Sequence, residues 1–353
     1  MFSRLTSYIF KMSFVLALAV SSGTSSGFDL GPVKVHGFIS QGFSLSSGNN
    51  FLGESTSGSF DSSMAAVNFL WAPDPGVYFS GQLISRNYGD FSINEEDLAV
   101  DYALMNVDLF TDISNEFDLR FGLLKIPMGM YGQTRDIPVT FPGVVLPQVI
   151  YAERTRNSFL RSEGAAIEYK HNSMIGSLNI EAQAGQIRMP RNEMYDISSS
   201  RIFNVPDPGF LATKVMYHSP QDMFFAGISR LLIDYKTYSS STVEPFRIDS
   251  TNDNLITTDI FSAGINIGSW VLTSEYMRRK NDFTNTSYMY SAGTGNLITS
   301  FEYKDINVAD AYFVQVEKMI GPQLSAFIRN DHGYVVTANG KTTNNYTNSY
   351  VIG

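Results

Sequence analysis

The chain has 353 residues, no cysteine and a formal charge of −9. The missing cysteine excludes disulfides, thiolate-bound metals and a cysteine nucleophile, and the acidic balance argues against a nucleic-acid partner, which needs a basic face. Charged residues make up only 17% of the chain, while Tyr and Phe number 19 and 26; soluble domains carry about 25% charged residues.

In chain order, residues 1–27 read as an export signal. Arg4 and Lys11 give the positive start, Phe14 to Val20 the apolar core, and Ser21 to Gly27 a small-residue cleavage region. A membrane anchor would need a longer apolar core. Residues 28–353 are then the mature domain, and no later apolar run approaches the ~20 residues of a membrane helix.

From Val33 onward the hydrophobic signal has period two, the mark of strands with two unlike faces. In Phe117 to Leu123, Phe117, Leu119, Phe121 and Leu123 oppose Asp118 and Arg120. In Ser177 to Gln186, Leu178, Ile180, Ala182 and Ala184 oppose Asn179, Glu181 and Gln183. In Val308 to Lys318, Tyr312, Val314 and Val316 oppose Gln315 and Glu317. The pattern predicts fourteen strands, starting near Val33, Ser63, Gly76, Leu98, Glu116, Gly164, Ser177, Phe210, Met223, Thr258, Ser269, Val308, Gln323 and Asn348.

The connections sort by length. Short ones fall at 72–76, 111–115, 171–176, 218–222, 268–269 and 319–322, and long ones at 45–62, 87–97, 126–163, 187–209, 237–257, 280–307 and 330–347. Strict alternation of short and long is expected of an antiparallel up-and-down transmembrane β-barrel, with short periplasmic turns and long outer loops. Large aromatics flank the short turns: Trp71 and Tyr78, Phe110 and Phe117, Tyr169, Tyr217, and Trp270. They predict an interfacial girdle. Lipid-facing backbone groups cannot bond water, so the strands must close, and fourteen or more leave an aqueous lumen.

Two stretches carry a family resemblance. Val35 to Phe43 followed by Asn50 to Gly53, and Leu124 to Tyr131 followed by Arg135 to Ile137, resemble the first hairpin and the post-fifth-strand signature of Gram-negative outer-membrane porins. The resemblance implies a trimeric channel of sixteen or eighteen strands in the outer membrane. Small hydrophilic solutes would pass by diffusion, and the third outer loop would fold inward. It also implies a lipid bilayer, lipopolysaccharide and a homotrimer as partners, with no cofactor and no metal. The chain stops at Ser349 to Gly353 inside the fourteenth strand, without the terminal aromatic strand of the family. About two further strands, sixteen in all, are therefore expected; the other reading is a fourteen-stranded barrel with an unusual end.

The long connection 126–163 is the candidate site. Its Pro, Gly and apolar content suits irregular backbone packed on a wall inside the lumen, with Phe141 to Leu146 resting there. Packing at a trimer contact and a mobile surface loop are the other readings. Between Leu119 and Ser162, Arg120, Lys125, Arg135, Arg154, Arg156 and Arg161 face only Asp136 and Glu153 as opposite charges, a local surplus of four. Rings of Arg and Lys favour anions, so an anion-preferring constriction is one expectation. Pairing of these cations with Asp118, Glu153, Glu163 and Glu168, or with lipopolysaccharide, is another. Asp97, Asp101 and Asp118 are acidic pore or loop candidates that would reverse the preference.

Other classes find less support. The four histidines lie far apart, with neither a G-x-S-x-G elbow nor an H-E-x-x-H pair. A receptor or adhesin with a plugged lumen needs a plug domain, and only the five residues 28–32 separate the signal from the first strand.

Overall fold

In a computed structural model, residues 28–47, 50, 54–89, 98–188, 202–204, 208–322, 324–337 and 342–353 are described. The predicted signal and Asp97 lie outside them. The chain divides into two compact units, Met1–Ala103 and Leu104–Gly353.

The first unit holds β1 (Phe28–Leu30), β2 (Val33–Ser44), β3 (Ser59–Asp74) and β4 (Val77–Asn87), each antiparallel to the next. Pro75 and Gly76 close the β3–β4 hairpin, and Gly76 takes φ +81°, a conformation open to residues without a Cβ. On one face Val67, Phe69, Trp71 and Leu83 are exposed. On the other Met64, Ala66, Gln82 and Ile84 are buried.

Strand β5 (Ala99–Thr111) runs across the division. The second unit continues with β6 (Asn115–Lys125), β7 (Arg161–Ser173), β8 (Gly176–Gln186), β9 (Ile202–Asn204), β10 (Gly209–His218), β11 (Phe224–Val243), β12 (Phe246–Ile267), β13 (Trp270–Ser291), β14 (Leu297–Gly321), β15 (Leu324–Thr337) and β16 (Thr342–Ile352). From β6 to β16 each strand pairs antiparallel with its successor, except that the three-residue β9 leaves the path to pair with β11. Every strand start read from the sequence falls on one of the long strands or one residue before it. The molecule is an all-β, antiparallel, up-and-down meander.

The polarity of the second unit's sheet is inverted relative to a water-soluble sandwich. Leu211, Val215, Ile228, Phe261, Leu272 and Val314 share one face and are 37–50% exposed. The opposite face buries Glu181, Gln183, Ser262, Glu275 and Gln315. Along β13 the exposed face stays uncharged from Trp270 to Tyr276 and meets its first charge at Arg278. Eight residues at the strand rise make about 27 Å along the strand, or about 20 Å of height at a tilt of about 40°, beside the ~25 Å apolar band of an outer-membrane barrel.

The predicted outer loops 237–257, 280–307 and 330–347 are corrected by the structure. The first two are continuations of β11 to β14, which run to 20, 22, 22 and 25 residues, and in the third β15 runs on to Thr337 while β16 begins at Thr342. Only Glu244 and Pro245 separate β11 from β12. These extensions mix polar and apolar residues on both faces, so no apolar alternation announces them. Backbone ladders and polar cross-strand pairs hold them: Ser250 to Ser287 at 2.7 Å and Asn285 to Asn252 at 2.5 Å.

Candidate functional site

The segment after β6 crosses the polar face of the second unit rather than leaving it. Pro127 lacks a backbone donor and Gly129 takes φ +59°, so neither strand nor helix continues past Lys125. Short turns follow, with Gly132 N donating to Met128 O at 2.9 Å and Thr134 N to Tyr131 O at 3.0 Å. A single helical turn, Asn157–Leu160, leads into β7. Ile126, Met128, Tyr131, Phe141, Leu146, Ile150, Tyr151 and Phe159 pack in one buried cluster with Phe210, Leu231, Ile233, Ile260, Met277 and Phe313 of the strands. Each such side chain contributes about 1.5–3 kcal/mol when fully buried, enough to hold an irregular loop against the wall. Phe141 and Leu146 are buried as the composition suggested, and a Cβ on Gly143 between them would lie 2.6 Å from the Phe327 ring.

One carboxylate fixes the path of this loop. Glu275, buried on the inner face of β13, accepts from Met130 N, the Tyr151 hydroxyl and the Ser262 hydroxyl, each at 2.6 Å. A buried carboxylate without donors is costly; three donors offset that cost and tie loop to wall. Beside it, Gly129 N donates to Ser229 Oγ at 2.8 Å. An added Cβ at Gly129 would meet the Tyr151 hydroxyl at 2.1 Å. Burial, then the Glu275 charge, pushes the Tyr151 hydroxyl well above the usual tyrosine range, so it remains a donor. Gln133 donates to Glu181, and Arg329 donates to Val145 O at 3.2 Å.

The predicted cations are distributed unevenly. Arg135 pairs with Glu153 at 3.0 Å, and Arg156 with Asp136 at 2.6 Å, all four buried. Lys125 also bonds Asp136. Arg120 sits on the inner face of β6, bonded to Glu168, 3.9 Å from Glu181 and 3.2 Å from Asn106 Oδ1. Arg154 is exposed on the loop, and Arg161, half-buried, opens β7 directly across from Lys125. The predicted pairing of this cluster with Glu153 and Glu168 is thus present in the geometry. Asp118 is buried on the same face of β6 as Arg120, and Asp101 is fully buried on β5.

Among the aromatics, Phe117 pairs with Tyr169 across β6 and β7 on the apolar face, and the Tyr217 ring lies tilted against Phe224 with centroids 5.8 Å apart. Trp270 lies under Lys318 Nζ at 4.6 Å. Trp71 stacks on Phe79 at 5.1 Å. Tyr78, next to Phe79, therefore falls on the opposite face by strand alternation, and the pairing register shifts by a residue between Trp71 and Asp74. Phe110, likewise, shares its face with Asn106 and Asp108.

Sequence reasoning missed Glu275 and Arg279. Both stand on the polar face of an alternating strand, but nothing local marks which polar residue a loop 120 or more positions away will contact.

No family model matches the chain, and no curated protein matches it. Solved structures do. OmpT, an outer membrane protein of Vibrio cholerae, is 10% identical, with 93% of this chain and 98% of that chain covered and a TM-score of 0.44. The outer membrane channel DcaP of Acinetobacter baumannii is 11% identical, with 90% and 95% covered and a TM-score of 0.37. An anion-selective porin from Comamonas acidovorans is 10% identical, with 78% and 79% covered and a TM-score of 0.36. These likenesses are loose, and the function proposed below rests on this chain's own residues.

Proposed function

We propose that this chain forms a water-filled channel in the outer membrane of a Gram-negative bacterium, through which small hydrophilic solutes diffuse. The observation that carries the reading is the inverted polarity: apolar side chains exposed on one sheet face, charged and amide side chains covered on the other. In water an exposed apolar band of that extent is a liability. In a bilayer it is the contact surface, and closure of the sheet satisfies the backbone. The loop 126–160 then lies on the lumen side and narrows the passage. No reaction step is assigned; the solute gradient drives flux.

An anionic preference belongs to this reading. The surplus of Arg120, Lys125, Arg135, Arg154, Arg156 and Arg161 over Asp136 and Glu153 supports it, with Arg120 bonded to Glu168 and Lys125, Arg135 and Arg156 bonded within the loop. The outward face would meet lipid, lipopolysaccharide at the outer leaflet, and two further copies in a trimer. The test is a planar-bilayer recording of purified, folded protein under a tenfold KCl gradient. Stepwise conductance with an anion-side reversal potential is expected. A cation-side reversal would remove the anion preference alone, and a folded protein without conductance would overturn the channel.

A further inference from the structure

The upper half of β14 has an uncovered edge. On one side β13 pairs with it along its length, but on the other β15 joins only from Asn307, opposite Thr337. Among the described residues no strand lies beside residues 297–306 on that side. The far edge of the same extension is met by β9, which pairs with Tyr238 and Ser239 of β11. The direction of the edge groups follows from the ladder. Met319 N donates to Ser269 O at 2.8 Å, on the β13 side, and the register runs without a shift from Thr299 to Lys318. Odd-numbered residues therefore turn their backbone groups to β13, and Ser300, Glu302, Lys304 and Ile306 turn theirs to the open side. Ile306 N meets the Asp305 carboxylate at 2.8 Å. The N–H groups of Ser300, Glu302 and Lys304 point past the sheet.

Such a row of donors and acceptors is a template for one more strand, and charged side chains are what keeps an edge from pairing indiscriminately. Glu302 and Lys304 stand two residues apart on one face, bonded to each other at 3.0 Å with 53% and 68% of their side chains exposed. Phe301 and Tyr303 alternate with them on the other face, 51% and 46% exposed. Like charges directly opposite each other across a ladder repel, so a strand with charge of one sign is refused at Glu302 or at Lys304. A strand that sets an anion against Lys304, a cation against Glu302 and a β-branched residue between them is matched at every position.

We infer that residues 300–306 of β14 dock an extended peptide segment of a partner protein, added antiparallel as a further strand, with an acidic and a basic residue two positions apart. The main-chain ladder holds the segment, and the Glu302 and Lys304 side chains select it. No covalent bond forms or breaks. The edge belongs to the part of the sheet above the apolar band, so the docking goes beyond the channel reading and does not depend on it.

The probe is a fluorescein-labelled peptide, Gly-Gly-Thr-Val-Asp-Val-Lys-Val-Thr-amide, whose Asp opposes Lys304 and whose Lys opposes Glu302 in the antiparallel register. It is titrated onto the full chain folded in detergent and read by fluorescence anisotropy, with empty micelles as blank. Methylating the backbone nitrogens of the peptide's Asp and Lys removes the two donors that face β14 and should weaken binding about tenfold or more. Methylating those of the last two Val, which point away from β14, should leave binding within about threefold. Glu302→Lys and Lys304→Glu should each weaken it about threefold. Ser300→Pro removes one edge donor at a place where edge strands tolerate proline, and should weaken binding as well. Each variant is checked for folding by circular dichroism. No binding to the native protein, or equal loss from both methylation patterns, would overturn the docking edge. So would self-association of the native protein that Ser300→Pro abolishes while the peptide fails to bind, which would give the edge to a second copy. Conductance is not read in this experiment, so the channel stands or falls separately.

Discussion

Glu275 and Gly129 together decide where the third loop lies. Glu275→Ala would orphan Met130 N and the Tyr151 hydroxyl, at about 1–3 kcal/mol for each group left unsatisfied. The loop should loosen, giving a lower urea midpoint, faster cleavage within 126–160 by added protease, and a larger single-channel conductance. Gly129→Ala acts through backbone and space at once. Its φ of +59° is strained for alanine, and the new methyl would overlap the Tyr151 hydroxyl at 2.1 Å. The strain alone costs about 1–3 kcal/mol, read in the same urea titration. In the short turn after β5, Asp112 accepts from Ser114 N and Asn115 N, both at 2.7 Å, and from the Asn115 amide at 3.1 Å. Those donors, the Ser114 N–H foremost, hold its carboxyl below the usual aspartate range. A depressed folded value means the turn's contribution is present above the unfolded pKa of about 3.9 and is lost as pH falls through the folded one. The difference in thermal midpoint between native protein and Asp112→Ala should therefore be seen at neutral pH and shrink in acid.

At the scale of elements, β11 to β14 have two halves with different jobs. The lower half alternates and presents an apolar face. The upper half mixes polar and apolar residues on both sides and is held by its ladder and by pairs such as Ser240 to Asp249 at 2.6 Å. Replacing Ser240–Asp249 by a two-residue turn should leave folding intact, with the lower, alternating half of the strands retained, measured as a cooperative thermal transition in detergent. The same division explains what the sequence discloses. Leu272, Ser274 and Tyr276 against Thr273 and Glu275 are legible as a strand because one face is apolar. Thr284 to Ser287 are not, since a segment with polar residues at every position has no period to read. The third loop was legible by composition, its Pro, Gly and apolar residues marking an irregular buried path. Its anchor was not, because the bond from Met130 to Glu275 joins residues far apart in the chain and depends on register. The arginine surplus was legible as a count. Which carboxylate each arginine meets was not, because pairing with Asp136 and Glu153 is decided by the fold of the loop.

For the whole molecule the question is which solvent the exposed apolar face meets, and a charge placed on it gives opposite answers in water and in lipid. Val314 lies on that face of β14, across from Ser274 of β13, midway between Trp270 and Arg278 of the same partner strand. If the face is wet, Val314→Arg exposes a charge where charges belong and should be neutral or mildly solubilising, within about 0.5 kcal/mol. If the face meets lipid, the guanidinium sits near the middle of the hydrocarbon and should cost about 2–4 kcal/mol. Ile306 is on the same face but beyond Arg278, paired with Asp282, so Ile306→Arg should cost no more than about 1 kcal/mol. Equilibrium folding into phosphatidylcholine vesicles under a urea gradient measures both. A penalty at Val314 several times that at Ile306 is the depth dependence of a bilayer, which no water-soluble packing of this sheet reproduces. Equal and small penalties would place the face in water and withdraw the membrane reading, together with the channel that depends on it.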